Sequence, residues 1–124
     1  MEALLDQVKS DVFAAVIAGS DGVVYYTTPG FVTNPKEFRE ISDIFGTESK
    51  DIYNGFKFQD KTFAVIELTS TFLAAETNSS VLYIQRSEEF MVLTFQNQKK
   101  LRDSCRNACS YVFDQIVKFQ LFNE

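Results

Sequence analysis

The sequence predicts an α+β fold in which a central antiparallel sheet of about six or seven strands carries the N- and C-terminal helices on one face. Short apolar segments separated by turn-forming residues follow one another through the middle of the chain, as in an antiparallel meander. Segments with helical spacing of apolar residues stand at both ends, and another interrupts the strands early in the chain.

Length and composition favour one domain over residues 1–124. A chain of 124 residues has the usual size of a single domain, and no Pro-, Gly- or Ser-rich stretch divides it. Hydrophobic residues make up 45% of the chain and aromatic residues 15%, with 13 Phe. We therefore expect a core that needs no disulfide or metal for its stability.

The chain begins with a short helix followed by a hairpin. The apolar residues of the helix recur at helical spacing: Leu4, Leu5 and Val8. A nearly continuous apolar run at residues 12–18 is rich in β-branched side chains and predicts a buried strand. Asp21 and Gly22 form a turn, because both tolerate positive φ angles, and residues 23–28 return as the partner strand.

A second helix is well specified from Pro35 through residues 36–44. Asn34 can accept hydrogen bonds as an N-cap, and Pro35 suits the first helical position, where a missing N–H costs nothing. Gly46 follows as a C-cap. The side chains predicted to be buried lie on one stripe: Phe38, Ile41, Ile44 and Phe45.

Five further strands and a long helix complete the prediction. The strands are expected at residues 56–59, 62–68, 72–76, 81–86 and 90–95. The helix is expected from about residue 97 to residue 118. Its apolar stripe must cover the sheet: Leu101, Cys105, Ala108, Val112, Ile116 and Phe119. Its first turns carry a basic cluster: Lys99, Lys100, Arg102 and Arg106.

Charge and residue types exclude several classes of function. The net charge of -5 argues against a nucleic-acid binder, which normally carries basic residues for the phosphates, and against an anionic membrane surface. The first ten residues lack the apolar run of a signal peptide, so we expect a cytoplasmic protein. Cys105 and Cys109 lie one helical turn apart and are expected to pack as small apolar groups. With no His, a zinc site has no ligand set, and we expect no metal or other cofactor.

Several strings, in the same order along the chain, resemble the profilin family. The segment from Ala15 to Tyr25 is similar to the family's first hairpin, with an apolar strand, an Asp-Gly turn and an aromatic residue. Residues 27–45 resemble the loop and helix that follow, and residues 53–63 the Gly-containing strand and its neighbour. Residues 81–95 resemble the last two strands before a long C-terminal helix. The resemblance covers nearly the whole chain and implies a single profilin-like domain.

The resemblance implies an actin-monomer-binding protein that regulates filament assembly. Profilins bind actin with one sheet face and the first half of the last helix, and we expect the sheet face opposite the terminal helices to be open for this partner. The positions that correspond to the actin-binding residues are Tyr53, Val65, Phe72, Ala74, Glu76, Ser79, Val81, Lys100, Arg102, Asp103, Arg106, Asn107 and Ser110. Arg and aromatic side chains are frequent interface anchors, and the basic cluster can steer an acidic partner.

The family's second activity, binding of proline-rich segments, is expected to be weak or absent. A polyproline helix is recognised by aromatic rings that line a groove, and the N-terminal aromatic residues of the family are missing here. The residues that remain for this site are Leu4, Tyr25, Phe119 and Phe122. Thr71 and Glu76 occupy a strand region that is often basic in the family, so membrane phosphoinositide binding is also expected to be weak.

Two other interpretations stay open at the level of sequence. Acidic pairs such as Glu88 and Glu89 have no accompanying phosphate loop or nucleophile motif, which argues against an enzyme. The runner-up is a roadblock or longin-like module that regulates a small GTPase or dimerises through a sheet edge. Profilins are typically monomers with more strands before the last helix, so strand count and oligomeric state separate the two interpretations.

Overall fold

The computed structural model of the protein describes residues 2–45 and 55–121. Its helices are α1 (Glu2–Val8), α2 (Pro35–Phe45) and α3 (Arg102–Phe119), the last preceded by a 3-10 turn at Lys99–Leu101. The strands are β1 (Ala14–Gly19), β2 (Val24–Thr27), β3 (Phe56–Phe58), β4 (Lys61–Leu68), β5 (Phe72–Glu76), β6 (Val81–Arg86) and β7 (Phe90–Gln96). No helix within these two ranges has the length and apolar character needed to cross a membrane.

All seven strands form one antiparallel sheet in the order β2-β1-β7-β6-β5-β4-β3. From β3 to β7 each strand pairs with the next along the chain, whereas β1 pairs with β7. The register shifts at two places, between Ile17 and Ala18 against β2 and between Val65 and Glu67 against β5. The predicted α+β class with its meander is confirmed.

The terminal helices α1 and α3 cover one face of the sheet, as predicted. α3 packs on β6 and β7, and α1 packs against α3 and β2. This core includes Leu5, Ile17, Val92, Val112 and Ile116, each at most 2% exposed. Burying such side chains contributes about 1.5 to 3 kcal/mol each to folding.

The opposite face of the sheet is not open, so that expectation is wrong. α2 and the β3–β4 hairpin fold over it and enclose a second core, rich in aromatic rings. Phe58 lies at its centre, with ring centroids of Phe38, Phe63 and Phe95 within 6.2 Å of its own. The apolar stripe of α2 requires burial, and this face of the sheet is the apolar surface that supplies it.

α2 begins as the sequence predicts and is tied to the β3–β4 turn. The Asn34 side-chain oxygen accepts a hydrogen bond from the N–H of Lys36 (3.0 Å). Glu37 Oε2 accepts one from the N–H of Gln59 (3.1 Å). Gln59 and Asp60 have φ angles of 52° and 63° and form the turn, one residue earlier than the sequence suggested.

The two cysteines of α3 are structural. Both are buried free thiols, and Cys109 lies 3.4 Å from the carbonyl oxygen of Val92. Burial raises the pKa of Cys105 to about 11 and that of Cys109 to about 12, so neither thiol ionises near neutral pH. The prediction that they pack as small apolar groups is confirmed.

Candidate partner-binding surface

A strip of the sheet beside α3 remains uncovered on the helix side. α3 lies over β6 and β7, while β5 and β4 continue the sheet beyond it. Phe72 and Ala74 alternate along β5 on the face that packs under α3. Glu67 of β4 pairs with Ala74, so its side chain lies on the same face. The strip therefore presents an aromatic ring and a carboxylate next to the first turns of α3.

Arg106 of α3 lies at the centre of this strip. Its guanidinium carbon is 4.6 Å from the ring centroid of Phe72 and 5.8 Å from that of Tyr83, and the two rings stack on each other. Arg106 Nη2 also lies 3.4 Å from Glu67 Oε2. Rings and carboxylate hold the guanidinium in place, while the Arg106 side chain remains 46% exposed.

A second ion pair fixes the base of α3. Lys99 Nζ lies 2.8 Å from Glu76 Oε2 and donates to the backbone oxygen of Thr77 (3.3 Å). Lys100 and Arg102, which follow, are exposed. The residues that share this area form what we call the lateral surface: Glu67, Phe72, Glu76, Lys99, Lys100, Arg102, Asp103, Arg106 and Ser110.

The structure brings most of the sequence-predicted residues together on this surface. Most predicted helix residues, with Phe72 and Glu76, are exposed or half-buried there, and Ser79 is exposed in the adjoining β5–β6 turn. Asn107 is also exposed, but it lines a cleft between α1 and α3 with Gln7 and Tyr111. Ala74 and Val81 are each only 1% exposed, because they lie in the core under α3, and their side chains cannot contact a partner. Val65 packs against the aromatic core on the other face. Tyr53 lies outside the described residues.

Sequence reasoning missed Glu67 and Tyr83. Glu67 is an acidic residue among the apolar residues 63–68. Because a carboxylate is rarely buried without a partner, this indicates that Glu67 is either exposed or paired with a cation. Tyr83 is 5% exposed and supports Arg106 from below. Burial raises the pKa of its hydroxyl, so Tyr83 contributes a neutral ring and no charge.

The four residues considered for proline-rich segments do not form an aromatic groove among the described residues. Leu4 is only 9% exposed and belongs to the core between helix and sheet, while Phe119 is 56% exposed at the end of α3. Tyr25, at the bulge in β2, is 55% exposed. Its neighbour Tyr26 packs against the core under the terminal helices, a contact that was not predicted. Phe122 lies outside the described residues.

Comparison with known proteins identifies one family. The family model described as Profilin matches residues 2–120, nearly the whole chain. A search of curated proteins found no significant match.

Solved structures share the fold at low sequence identity. Profilin II of Acanthamoeba castellanii superimposes with a TM-score of 0.84 at 17% identity, with 95% of this chain and 97% of that chain covered. LokiProfilin2, from its complex with rabbit actin, gives a TM-score of 0.69 at 12% identity, with 91% of this chain and 95% of that chain covered. Mouse profilin IIa, in complex with a double repeat from the FH1 domain of mDia1, gives a TM-score of 0.61 at 17% identity, with 91% of this chain and 96% of that chain covered.

Proposed function

The chain belongs to the profilin family, and on that premise we propose that it binds an actin-type monomer and thereby regulates filament assembly. The observation that carries the proposal is the exposed Arg106, held in place by Phe72, Tyr83 and Glu67 beside the first half of α3. Profilins dock actin with this part of their last helix and the neighbouring strands. LokiProfilin2, which shares the fold, is in complex with rabbit actin.

The lateral surface has the chemistry of a protein interface. A preorganised Arg loses little conformational entropy on binding, and Arg and aromatic residues are frequent anchors. Lys100 and Arg102 place two further exposed cations next to Arg106 on a chain of net charge -5. Such a local basic area steers an acidic globular partner such as an actin-type monomer to this side of the molecule.

Proline-rich segments are proposed as weak partners. The described part of α1 offers no aromatic side chain, and Leu4 is already used in the core. Tyr26 packs against the core, and the exposed rings of Tyr25 and Phe119 do not form a shared groove with it among the described residues. Mouse profilin IIa, by contrast, is in complex with an FH1 repeat.

The remaining proposals follow from the family. We place residues 1–124 in one domain that acts as a monomer, without catalysis, in the cytoplasm and in association with the cytoskeleton. The roadblock or longin-like alternative is not favoured, because the family match is to profilin and the described residues already place seven strands before α3.

Titration of monomeric actin, ideally from the same source organism, tests the function. Wild-type protein is expected to bind the monomer and to slow spontaneous polymerisation in a light-scattering or pyrene assay. The Arg106→Glu variant is expected to bind at least about tenfold more weakly, since it removes an anchor and places two carboxylates side by side.

A matched control separates the site from general charge effects. Arg39→Glu makes the same charge change at an exposed position of α2 and should bind like the wild type. If wild type leaves polymerisation unchanged, the proposed function is wrong. If wild type binds but Arg106→Glu and Arg39→Glu bind equally well, the function stands and the lateral surface is wrong.

A further inference from the structure

Three turns meet at one end of the sheet and form a groove, which we call the turn groove. The β1–β2 turn contributes Ser20, the β4–β5 turn Ser70 and Thr71, and the β6–β7 turn Ser87 and Glu88; Arg86 and Phe113 complete the lining. Its volume is about 780 Å³, within the range of about 300 to 1,000 Å³ that is usual for small-molecule sites.

Backbone hydrogen bonds fix the three turns to one another. The N–H of Ser20 donates to the oxygen of Glu89 (3.1 Å), and the N–H of Arg86 donates to the oxygen of Thr71 (2.8 Å). The β6–β7 turn is therefore bonded to both of the other turns. The groove is a preformed feature of the sheet end, which lowers the entropy cost of binding.

Arg86 is held in place at the α2 side of this groove, across from Phe113 at the α3 side. Its Nε donates to the backbone oxygen of Ser70 (2.9 Å), and its guanidinium carbon lies 4.5 Å from the ring centroid of Phe45. Within residues 2–45 and 55–121, its two terminal nitrogens have no hydrogen-bond or ion-pair partner. A planar guanidinium with both terminal nitrogens available matches the two oxygens of a carboxylate.

The charge and apolar lining restrict the ligand further. Arg86 is the one cation among the lining residues and Glu88 lies beside it, on a protein of net charge -5. A phosphate group carries about -1.5 to -2 charges at neutral pH, so one Arg beside a Glu would leave it poorly neutralised. A carboxylate carries a single charge. Phe113, whose ring stacks on Phe90 at 5.0 Å, adds an apolar wall.

We propose that the turn groove binds a small monocarboxylate with an apolar body, with Arg86 as the residue that holds the carboxylate. The site adjoins the lateral surface, since Thr71 precedes Phe72 and Phe113 lies one helical turn after Ser110, but the proposal does not depend on the proposed function. The hydroxyl groups of Ser70 and Thr71 are the additional donors available to the ligand.

Titration of the ¹⁵N-labelled protein with benzoate, followed by amide chemical shifts, tests this proposal. We expect saturable shifts in all three turns, and no comparable shifts with benzamide, which has the same shape without the charge. Arg86→Gln should lower the affinity for benzoate at least about tenfold. Arg86→Lys keeps the charge but loses the planar guanidinium, and it should lower the affinity severalfold. Lys36→Gln removes one positive charge at an exposed position of α2 and should bind benzoate like the wild type.

The opposite results overturn the proposal. Equal shifts with benzoate and benzamide would show that the carboxylate is not recognised. Unchanged benzoate affinity in a folded Arg86→Gln variant, judged by its dispersed amide spectrum, would show that Arg86 does not hold the ligand. Tighter binding of inorganic phosphate than of benzoate would show that the groove prefers a multiply charged anion.

Discussion

The two faces of the sheet are packed by different chemistry. Under α2 the core is almost entirely aromatic and aliphatic, with the rings of Phe56, Phe58, Phe63 and Phe95 in mutual contact. Under α3 apolar packing is joined by polar contacts, such as the hydrogen bond from Thr94 Oγ1 to the oxygen of Cys105 (3.0 Å). Among the described residues, α2 covers the aromatic face, whereas α3 leaves Glu67 of β4 and Phe72 of β5 partly exposed beside it. The proposed partner-binding surface thus lies where a helix is narrower than its sheet.

Phe58→Ala should have the largest effect on stability. Phe58 is fully buried and contacts rings from α2, β4 and β7, so we expect a loss of about 3 to 5 kcal/mol in the free energy of unfolding. Urea denaturation measures it, with Phe119→Ala at an exposed position as the control. Under conditions where the variant stays folded, actin affinity should be unchanged. A specific loss of affinity there would place the partner on the α2 face and break the comparison.

Thr94→Val tests the polar contribution under α3. The substitution keeps the shape of a fully buried side chain and removes its hydrogen bond to the Cys105 oxygen, which should cost about 1 kcal/mol. Thr62→Val, at an exposed position of β4, is the matched control and should be near neutral. If Thr94→Val is as stable as the wild type in urea denaturation, the helix side is held by apolar packing alone.

Glu37→Gln should give the smallest effect, at the rim of the α2 face. Burial raises the pKa of Glu37 above its ordinary value of 4.5, with Asp60 and Glu40 adding to the effect and the hydrogen bond from Gln59 opposing it. The folded state thus holds this proton to higher pH than the unfolded state. The stability this contributes is fully present below pH 4.5 and is lost as pH rises through the folded-state pKa.

The variant should lack this part of the pH dependence. Glu37→Gln should therefore gain stability relative to the wild type as the pH rises from 4 toward 7, measured as the difference in unfolding free energy between the two proteins. A difference that is constant with pH, or that grows in the opposite direction, would mean that Glu37 is as well solvated in the folded state as in the unfolded chain.

Local sequence signals predicted the elements well, and their faces less well. Asn34 and Pro35 marked the start of α2, since capping depends on neighbours in sequence. Periodicity did not reveal that α2 would close the second face, because an apolar stripe shows that a helix is buried without showing what buries it. Ala74 and Val81 illustrate the same limit at the site: both lie in the predicted strands, but the position of α3 places their side chains in the core.

The bulge in the first hairpin is a second source of error. The register shifts between Ile17 and Ala18, so Tyr26 pairs with Ile17 while Val24 pairs with Ala18. A single extra residue changes which side chain faces the helices, and the alternation of side chains in this short strand does not predict the bulge. Spacing alone therefore did not decide whether Tyr25 or Tyr26 packs under the terminal helices.

The pairing of β1 with β7 has a consequence for folding during synthesis. Strands β3 to β7 each meet their partner within a few residues, so a meander can assemble while the chain is still being made. β1 can form its hairpin with β2 early, but its other neighbour, β7, becomes available only after about 80 further residues, since Ala14 pairs with Phe95. One edge of β1 must therefore stay unpaired until β7 has been synthesised.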